Sequence, residues 1–401
     1  MAGTDEGSRK RCDDTVEHAD VLVIGAGSIG SMALWQLSQQ SGLRIIGIDA
    51  HPRVNLRSSY AGESRLFRTA VKEGPVFNDH ADASIELWRA LEDVSDRDIL
   101  QQCGALSIGP ADFEAMRTTA DVVNHYGLPH EMLTAEQLHA RFPQFSPDPA
   151  DIGILDTRGG ALRPEVAVTA AHKAAEELGA QLYFNTRVSH VNSQPDGVEV
   201  VTDAGTFTAA QVIVTVGSWT AQLLPQVSSY VEVRPIGLTW AMPKNIQQFQ
   251  PEVFPVFMRD RVADDGTVTH WFGAPTLDGY SIKIGIYPEP WRAPMGPGDR
   301  PAEYTPDQLA YVGQTVAACI PDLIASPVRH STHHDSFASN QMPIFDRLAT
   351  DARIIYGTGM HGNAFKFASS YGKMLAEMAV EGHSSLWREE FSLGAHEPLA
   401  Q

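Results

Sequence analysis

The chain has 401 residues, of which 43% are hydrophobic and 20% charged, as in an ordinary globular protein long enough for two domains. Its formal net charge of −19 argues against a nucleic-acid or anionic-membrane partner, because both select for an excess of Lys and Arg. No apolar run approaches the ~20 residues that a membrane-spanning helix needs.

The N-terminal residues 1–19 are polar and mixed in charge. Because they contain no apolar core of a signal peptide, we expect a disordered lead-in. The cysteines, Cys12, Cys103 and Cys319, are scattered and odd in number. This usage indicates a reducing compartment rather than a disulfide framework or a zinc site, so we expect a cytoplasmic protein.

The segment 20–50 predicts a strand, a turn, a helix and a second strand. Residues 21–24 form a short apolar run, which is typical of a strand buried on both faces. Apolar residues at helical spacing follow over 32–37, and residues 43–48 form a second apolar strand. This order is that of a βαβ nucleotide-binding unit.

The turn of this unit carries the pattern G-x-G-x-x-G from Gly25 to Gly30. In such a turn the first glycine permits a tight bend, the second lets a pyrophosphate approach the backbone, and the third lets the helix pack closely. The helix N-terminus offers N–H groups to the phosphate, and an acid after the second strand accepts from a ribose hydroxyl. The cofactor-binding residues predicted here are Gly25, Gly27, Ser28, Ile29, Gly30 and Asp49. The motif does not separate NAD from FAD, although its position near the N-terminus favours FAD.

Four further segments occur in order along the chain: SSYAGESRLFRTAVKEG at 58–74, AAQVIVTVGSWTAQLL at 209–224, SIKIGIYP at 281–288 and IIYGTGMHGNAFKF at 354–367. Together with the glycine motif, they resemble the monomeric sarcosine oxidase and N-methyltryptophan oxidase family of flavin amine oxidases. The matching pieces span nearly the whole chain from residue 20. The resemblance implies FAD on a nucleotide-binding domain, with the substrate held against the flavin under a β-rich second domain.

The resemblance also implies roles for four cations. Arg68 and Lys366 match the pair that holds the substrate carboxylate, which suits an arginine fork and a point charge. Arg65 matches an arginine beside the flavin ring, and Lys283 matches the lysine that, through water, favours reaction of reduced flavin with oxygen. Taken alone, the arginines could be surface residues, and Lys283 could be a strand-edge lysine that guards against aggregation. The flavin contacts implied in the same way are Ser64, Arg65, Val188, Gly217, Trp219, His333, Gly359, Gly362, Asn363, Phe365 and Lys366.

The stretch HSTHHDS at 330–336 contains three histidines. His333 falls where most of the family has a cysteine bonded covalently to the flavin, and this chain has none there. The alternatives are a noncovalent FAD, a histidyl link through His333 or His334, and a metal site. Adjacent residues of an extended strand point to opposite faces, and no second Cys/His cluster completes a ligand set, so the metal site is disfavoured.

Other positions depart from the family pattern. Phe272 replaces a tyrosine over the substrate, Tyr287 and Asn363 replace histidines, and Asp335 replaces a tyrosine next to the flavin. Because both carboxylate cations are retained, the departures suggest a changed amine end. We therefore hypothesise that sarcosine is not the best substrate.

The expected fold is α/β, with a Rossmann-like FAD-binding domain interleaved with a substrate domain built on a mixed or antiparallel β-sheet. The FAD-binding domain is assigned to 20–80, 151–225 and 331–401, and the substrate domain to 81–150 and 226–330.

The function predicted from these features is an FAD-dependent oxidase of N-substituted (N-methyl) or cyclic secondary α-amino acids that yields an imine and hydrogen peroxide. Its partners would be a small amino-acid substrate and oxygen, and the protein would be a monomer or a weak homodimer. The alternatives are a dehydrogenase with another electron acceptor, a flavin-binding protein without turnover, and an NAD-dependent dehydrogenase.

Overall fold

The computed structural model describes residues 16–71, 74–262, 268–286 and 288–399. Most of the predicted lead-in, residues 1–15, therefore lies outside the described residues, as does Tyr287. The first strand begins at Glu17, so regular structure starts inside the predicted lead-in.

The helices of the described residues are α1 Ser28–Ser38, α2 Asn78–Ser95, α3 Glu114–His125, α4 Ala135–Arg141, α5 Pro164–Glu177, α6 Thr220–Leu223, α7 Pro306–Cys319 and α8 Ala368–Glu381. The strands are β1 Glu17–Ile24, β2 Ile45–Ile48, β3 Arg65–Phe67, β4 Leu100–Gln101, β5 Ala105–Pro110, β6 His130–Thr134, β7 Asp151–Asp156, β8 Gly160–Leu162, β9 Gln181–Tyr183, β10 Val188–Gln194, β11 Gly197–Thr202, β12 Gly205–Val214, β13 Val231–Ala241, β14 Val256–Val262, β15 Val268–Ala274, β16 Ile282–Ile286, β17 Arg329–Ala338, β18 Ile344–Leu348 and β19 Asp351–Thr358.

The first sheet carries the predicted nucleotide-binding unit. Its order in the described chain is β10-β11-β12-β1-β2-β9, and β19 and β18 extend it from β12. The strands β9, β2, β1, β12 and β19 run parallel. The helices α1, α5 and α8 pack together beside this sheet, and a Cβ added to Gly372 of α8 would lie 2.5 Å from the Cβ of Met32 in α1. Val21 and Val23 belong to the apolar core beneath these helices, and Leu22 and Ile24 belong to a second core on the other face. Burial on both faces explains why 21–24 is a continuous apolar run.

The second sheet has the order β17-β13-β16-β15-β14-β5-β7-β6 among the described residues. Its pairs are antiparallel except for β14 with β5. One face of this sheet buries an apolar core that includes Trp271, Ile282 and Ile284. The other face lies over the cavities described below. A small third sheet has the order β3-β8-β4.

The α/β fold class and the mixed second sheet are confirmed. The division into domains stays a prediction, and the sheet partners differ from it at two places. Strand β17 was assigned to the FAD-binding domain from residue 331, but it pairs with β13 from Val231↔Ala338 to Trp240↔Arg329. Strand β7 was assigned there too, but it pairs with β5 and β6 of the second sheet. Strand β7 is buried at all but one position and β17 over its last six residues, so neither strand shows an alternation from which its sheet could have been predicted. None of the helices in the described parts of the chain combines the length and apolar character needed to cross a lipid bilayer.

Candidate functional site

The glycine-rich turn joins β1 to α1. Gly25 adopts φ +88°, and an added Cβ would lie 2.7 Å from the carbonyl oxygen of Thr215. A Cβ on Gly30 would lie 1.9 Å from the carbonyl oxygen of Gly25, so the third glycine lets the helix sit directly on the turn. A Cβ on Gly27 would meet nothing closer than the Tyr60 ring at 3.8 Å. The first and third glycines are thus required by packing, whereas the second borders open space.

Asp49 follows β2 and braces this turn. Its carboxylate accepts hydrogen bonds from the backbone N–H groups of Ala26 (2.9 Å) and His51 (2.8 Å). Burial raises the pKa of Asp49, and the interactions with His51 and Ala26 partly oppose this shift. The acid therefore fixes the strand ends on both sides of the nucleotide-binding crevice.

A first cavity of about 310 Å³ opens where β1, β2 and β12 end. The predicted cofactor residues that line it are Gly25, Gly27, Ser28, Asp49, Val188, Gly217 and Trp219. Ile29 and Gly30 do not line this cavity and belong to the buried start of α1. The carboxyl ends of parallel strands and a helix N-terminus meet here, which is the usual place for a dinucleotide.

A second cavity of about 260 Å³ lies under the second sheet, and Ser28, Ser59 and Tyr60 line both cavities. The predicted residues that line the second cavity are Arg65, Arg68, Phe272, His333, Asp335, Gly362, Asn363, Phe365 and Lys366. Of the remaining predicted residues, Ser64, Lys283 and Gly359 line neither cavity. The structure therefore brings Arg65, Arg68 and Lys366 together, and it places Lys283 elsewhere.

The loop before β3 holds Arg65. The guanidinium group donates to the backbone carbonyls of Ser59, Ala61 and Ser64, each at 2.6 Å. The loop thus wraps its own carbonyl dipoles around the arginine, and the side chain is fixed at the edge of the second cavity.

Lys283 lies behind the same loop. It is the second residue of β16 and fully buried, and its Nζ donates to the backbone carbonyl of Ser64. Burial, followed by repulsion from Arg65, holds the pKa of Lys283 well below its usual value. Lys283 is therefore coupled to Arg65 through one carbonyl, because both side chains donate to the Ser64 oxygen.

Two glutamates hold this loop in place, and sequence reasoning did not identify them. Glu165, in the first turn of α5, accepts from the N–H groups of Gly62 (2.7 Å) and Glu63 (3.1 Å). The Oε2 atom of Glu63 accepts from Trp240 Nε1 (3.0 Å) and Arg329 (2.7 Å). Glu63 has φ +70°, a conformation uncommon for a residue with a side chain. The available signal was Gly62 alone, since glycine is common in turns, and it indicates a turn but neither glutamate contact.

The two predicted carboxylate-binding cations are almost fully buried, with 6% exposure each for Arg68 and Lys366. Lys366 Nζ donates to Asn363 Oδ1 at 2.6 Å. Asn363 Nδ2 is buried without a hydrogen-bond partner among the described residues. A donor and two cations therefore lie along the second cavity, which suits an anionic ligand group.

Asp335 contributes a buried acid to the same cavity. Its carboxylate accepts from the backbone N–H groups of Ser336 (2.9 Å) and Gly362 (3.0 Å). Burial raises the pKa of Asp335 despite these two donors. The acid ties β17 to the loop that carries Lys366.

The two adjacent histidines of β17 point to opposite faces. His333 Nδ1 contacts the Ser58 carbonyl (3.0 Å), and Nε2 contacts Ser331 Oγ (2.8 Å). Burial, followed by repulsion from Arg65, lowers the pKa of His333 to about 4. His334 faces the first cavity, where Nδ1 lies 2.9 Å from Ser218 Oγ. In the ranges that the structure describes, no group of three or more His, Cys, Asp or Glu side chains could hold a metal ion.

Sequence reasoning also missed part of the cavity wall. His270, on β15, and Arg292 line the second cavity, beside Phe272 and Met258. His270 Nδ1 lies 2.6 Å from Asp260 Oδ1. The available signal was strand alternation, since Met258 and Asp260 are two residues apart, as are His270 and Phe272.

Residues 20–378 match the family model described as FAD dependent oxidoreductase. The chain belongs to this family. Monomeric sarcosine oxidase of Streptomyces avermitilis is 27% identical over 367 residues, which cover 90% of this chain and 94% of that protein. N-methyl-L-tryptophan oxidase of Yersinia pestis is 28% identical over 385 residues, covering 93% and 98%. The resemblance inferred from the sequence is confirmed.

Solved structures of other flavoenzymes share the fold of this FAD-dependent oxidoreductase. The open form of NikD, an unusual amino acid oxidase essential for nikkomycin biosynthesis, superposes with a TM-score of 0.81 at 21% identity, covering 94% of this chain and 98% of that one. L-proline dehydrogenase from P. horikoshii gives a TM-score of 0.80 at 19% identity, covering 94% and 97%.

The residues present fit FAD. The two cavities share three lining residues, so a dinucleotide in the first could extend its flavin into the second. Asn363 lines the second cavity, and its buried Nδ2 atom has no hydrogen-bond partner in the described chain. Buried polar atoms usually have partners, so this atom marks a position where an FAD-dependent oxidoreductase can bind its cofactor or substrate.

Proposed function

We propose that this chain oxidises an N-methyl or cyclic secondary α-amino acid at its C–N bond, giving an imine, and reduces oxygen to hydrogen peroxide. The observation that carries the proposal is the convergence of Arg65, Arg68 and Lys366 on one cavity that adjoins the cavity of the glycine-rich turn. The names of the sarcosine and N-methyl-L-tryptophan oxidases among its relatives support the same substrate class.

Arg68 and Lys366 would bind the substrate carboxylate. A guanidinium fork and an ammonium point charge together fix both the position and the plane of a carboxylate. Fixing the carboxylate orients the C–H bond next to the nitrogen, and such orientation can contribute several kcal/mol to a reaction barrier. FAD, when bound, supplies the chemistry that accepts a hydride equivalent.

Arg65 would stabilise negative charge that develops in the cavity during the reaction. Its positive charge is held by carbonyl dipoles, so the group is already oriented before the reaction begins. Lys283 would support the reaction with oxygen. Its lowered pKa lets Nζ release and take up a proton close to Arg65.

We propose that the FAD is noncovalent. The Ser58 carbonyl can only accept a hydrogen bond, so Nδ1 of His333 carries the proton and Nε2 keeps the lone pair. Ser331 Oγ lies 2.8 Å from Nε2, where its hydroxyl can donate to that lone pair. A histidyl link through His333 would therefore cost one of these two hydrogen bonds. His334 is directed at Ser218 in the first cavity.

The pocket supports a substrate other than sarcosine. The Phe272 ring packs against Gly285, where an added Cβ would lie 2.2 Å from the ring, so the aromatic wall is fixed in place. Met258 extends this wall. A substituent larger than a single methyl group would have apolar surface to bury against the wall.

A second candidate is a dehydrogenase of the same substrates that uses another electron acceptor. The position of Lys283 favours it, because this lysine lies behind the 58–64 loop and lines neither cavity. A water-bridged role toward oxygen would require Nζ to leave the Ser64 carbonyl.

Both candidates are tested by mixing the purified protein anaerobically with N-methyl, cyclic and N-glycated amino acids while the flavin absorbance is recorded. For the oxidase, one class bleaches the flavin, and air restores the colour with stoichiometric hydrogen peroxide. Bleaching that air reverses only slowly, but an artificial acceptor reverses quickly, would identify the dehydrogenase. If no member of the panel bleaches the flavin, the proposed function is wrong.

A further inference from the structure

The wall of the second cavity that β14 and β15 form carries one polar pair. Met258 lies opposite Phe272 in this hairpin, and Asp260 lies opposite His270. Side chains two residues apart on a strand share a face, so all four point to the cavity side. Trp271, between them, points the other way and is fully buried in the core.

A hydrogen bond between the two side chains of this pair orients the imidazole ring. His270 Nδ1 lies 2.6 Å from Asp260 Oδ1, and the side chains are 36% and 14% exposed. A carboxylate accepts from Nδ1–H, so in the neutral imidazole the lone pair is on Nε2. Nε2 has no hydrogen-bond partner in the described parts of the chain, and His270 lines the cavity.

The hairpin positions next to this pair on the cavity side are apolar, since Met258 and Phe272 are two residues away from Asp260 and His270. Farther along the same cavity, Ile236 and Leu238 of β13 add apolar surface. An acceptor at the end of an apolar wall discriminates strongly between ligands. A ligand that donates a hydrogen bond satisfies it, whereas an isostere without the donor leaves it unpaired.

We propose that His270 is a specificity-determining residue that accepts a hydrogen bond from the end of the substrate's substituent. This rests on the proposed function. The substrate class is an N-methyl or secondary amino acid whose substituent is apolar along Phe272 and Met258 and ends in a hydroxyl or N–H group. Asp260 is the positioning residue, because it selects the imidazole tautomer that presents Nε2 as an acceptor.

Pairs of isosteric substrates, with and without a hydrogen-bond donor, test the role of His270 at pH 8.5. Racemic N-methyltyrosine is compared with N-methyl-4-fluorophenylalanine, N-methyltryptophan with its benzothiophene isostere, and N-methyl-5-hydroxynorvaline with N-methylnorleucine. We expect kcat/KM to favour the donor member of at least one pair by about tenfold or more. The preference should fall to about one in His270→Leu and persist in the control His383→Leu, whose side chain is exposed and lines neither cavity.

The isosteric variant Asp260→Asn separates tautomer selection from folding. An amide N–H can donate to Nδ1 and place the proton on Nε2, so we expect the donor preference to shrink while the thermal midpoint stays close to that of the wild type. A donor preference that survives His270→Leu, or the absence of any preference in the wild type, would overturn the proposal.

A binding measurement tests the role of His270 independently of the proposed oxidation. The acids 3-(4-hydroxyphenyl)propionate and 3-(4-fluorophenyl)propionate have no nitrogen and cannot be oxidised at a C–N bond. Their dissociation constants can be read from the perturbed flavin spectrum, and the same donor preference is expected. Failure of every amine to bleach the flavin would refute the proposed function, whereas equal binding of the two acids would refute the role of His270.

Discussion

Replacing Lys366 by Met tests the carboxylate site directly. The substitution keeps the length and most of the volume of the side chain but removes its charge from a position with 6% exposure. A charge-assisted hydrogen bond to a buried carboxylate contributes about 1.5–3 kcal/mol, so KM should rise roughly 10- to 150-fold. The change should fall mainly on KM, because Arg68 remains to orient the carboxylate and the lost contact is the same before and during the reaction. Asn363 Oδ1 also loses its donor, so the thermal midpoint should drop slightly.

The assay compares the amino acid that bleaches the flavin with the amine obtained by removing its carboxylate. In the wild type the amino acid should react far better than this amine, and Lys366→Met should narrow the difference. Lys373→Met in α8 is the matched control, because Lys373 pairs with Glu377 at 3.3 Å and is 42% exposed. An equal loss of activity toward both compounds, or an unchanged KM for the amino acid, would show that the carboxylate is bound elsewhere.

Three further predictions concern oxygen, the flavin link and pH. Lys283→Met should leave anaerobic flavin reduction intact but slow reoxidation by air in stopped-flow traces, and equal reoxidation rates would refute its role. Acid precipitation should release all the yellow colour to the supernatant, whereas a coloured pellet that is lost in His333→Ala would establish a histidyl link. Burial lowers the pKa of His172 from 6.5 to about 4, so only the unfolded chain takes up this proton as the pH falls below 6.5. Between pH 7 and pH 5 the wild type should therefore lose roughly 2 kcal/mol more unfolding free energy than His172→Gln in urea titrations. Equal losses in the two proteins would show that the pKa of His172 is not lowered in the folded state.

The local nucleotide-binding elements could be predicted because their signals are contiguous in the chain. The apolar run, the glycines and Asp49 all lie within 20–50, and β1, α1 and β2 occur there in the expected order. The boundaries moved by a few residues, since β1 begins at Glu17 and β2 at Ile45. Strand ends depend on pairing partners, and residues 17–19 are part of β1 because they pair with β12.

Contacts made by the loop before β3 could not be predicted in the same way. Glu165 lies about a hundred residues from Gly62 in sequence, and neither residue belongs to a pattern that indicates their contact. Lys283 was predicted from its match to the family, but sequence gives no information on whether its Nζ reaches the cavity or the Ser64 carbonyl. Tertiary packing decides both the contact between Glu165 and Gly62 and the position of Lys283 Nζ.

The pair His270–Asp260 depends on strand register. Both strands were expected as part of an alternating sheet, but a shift of one residue would move His270 and Phe272 to the opposite face. The register Asp260↔His270 places the carboxylate beside the imidazole. The sequence shows that side chains alternate along β14 and β15, but only the fold shows which face of these strands lies over the cavity.

The partners of two arginines, Arg259 and Arg65, show how a structural cation differs from one placed for function. Arg259 is fully buried, and its guanidinium group pairs with the carboxylates of Asp151 (2.9 Å) and Asp148 (3.3 Å), which compensate its charge inside the second sheet. The three contacts shown for Arg65 run instead to backbone carbonyls. Carbonyl dipoles satisfy N–H donors, and because all three belong to the backbone of one loop they fix the guanidinium group at the edge of the second cavity. Arg259 is therefore held inside the sheet by acidic side chains, whereas Arg65 is oriented in advance at the place where the substrate is proposed to react.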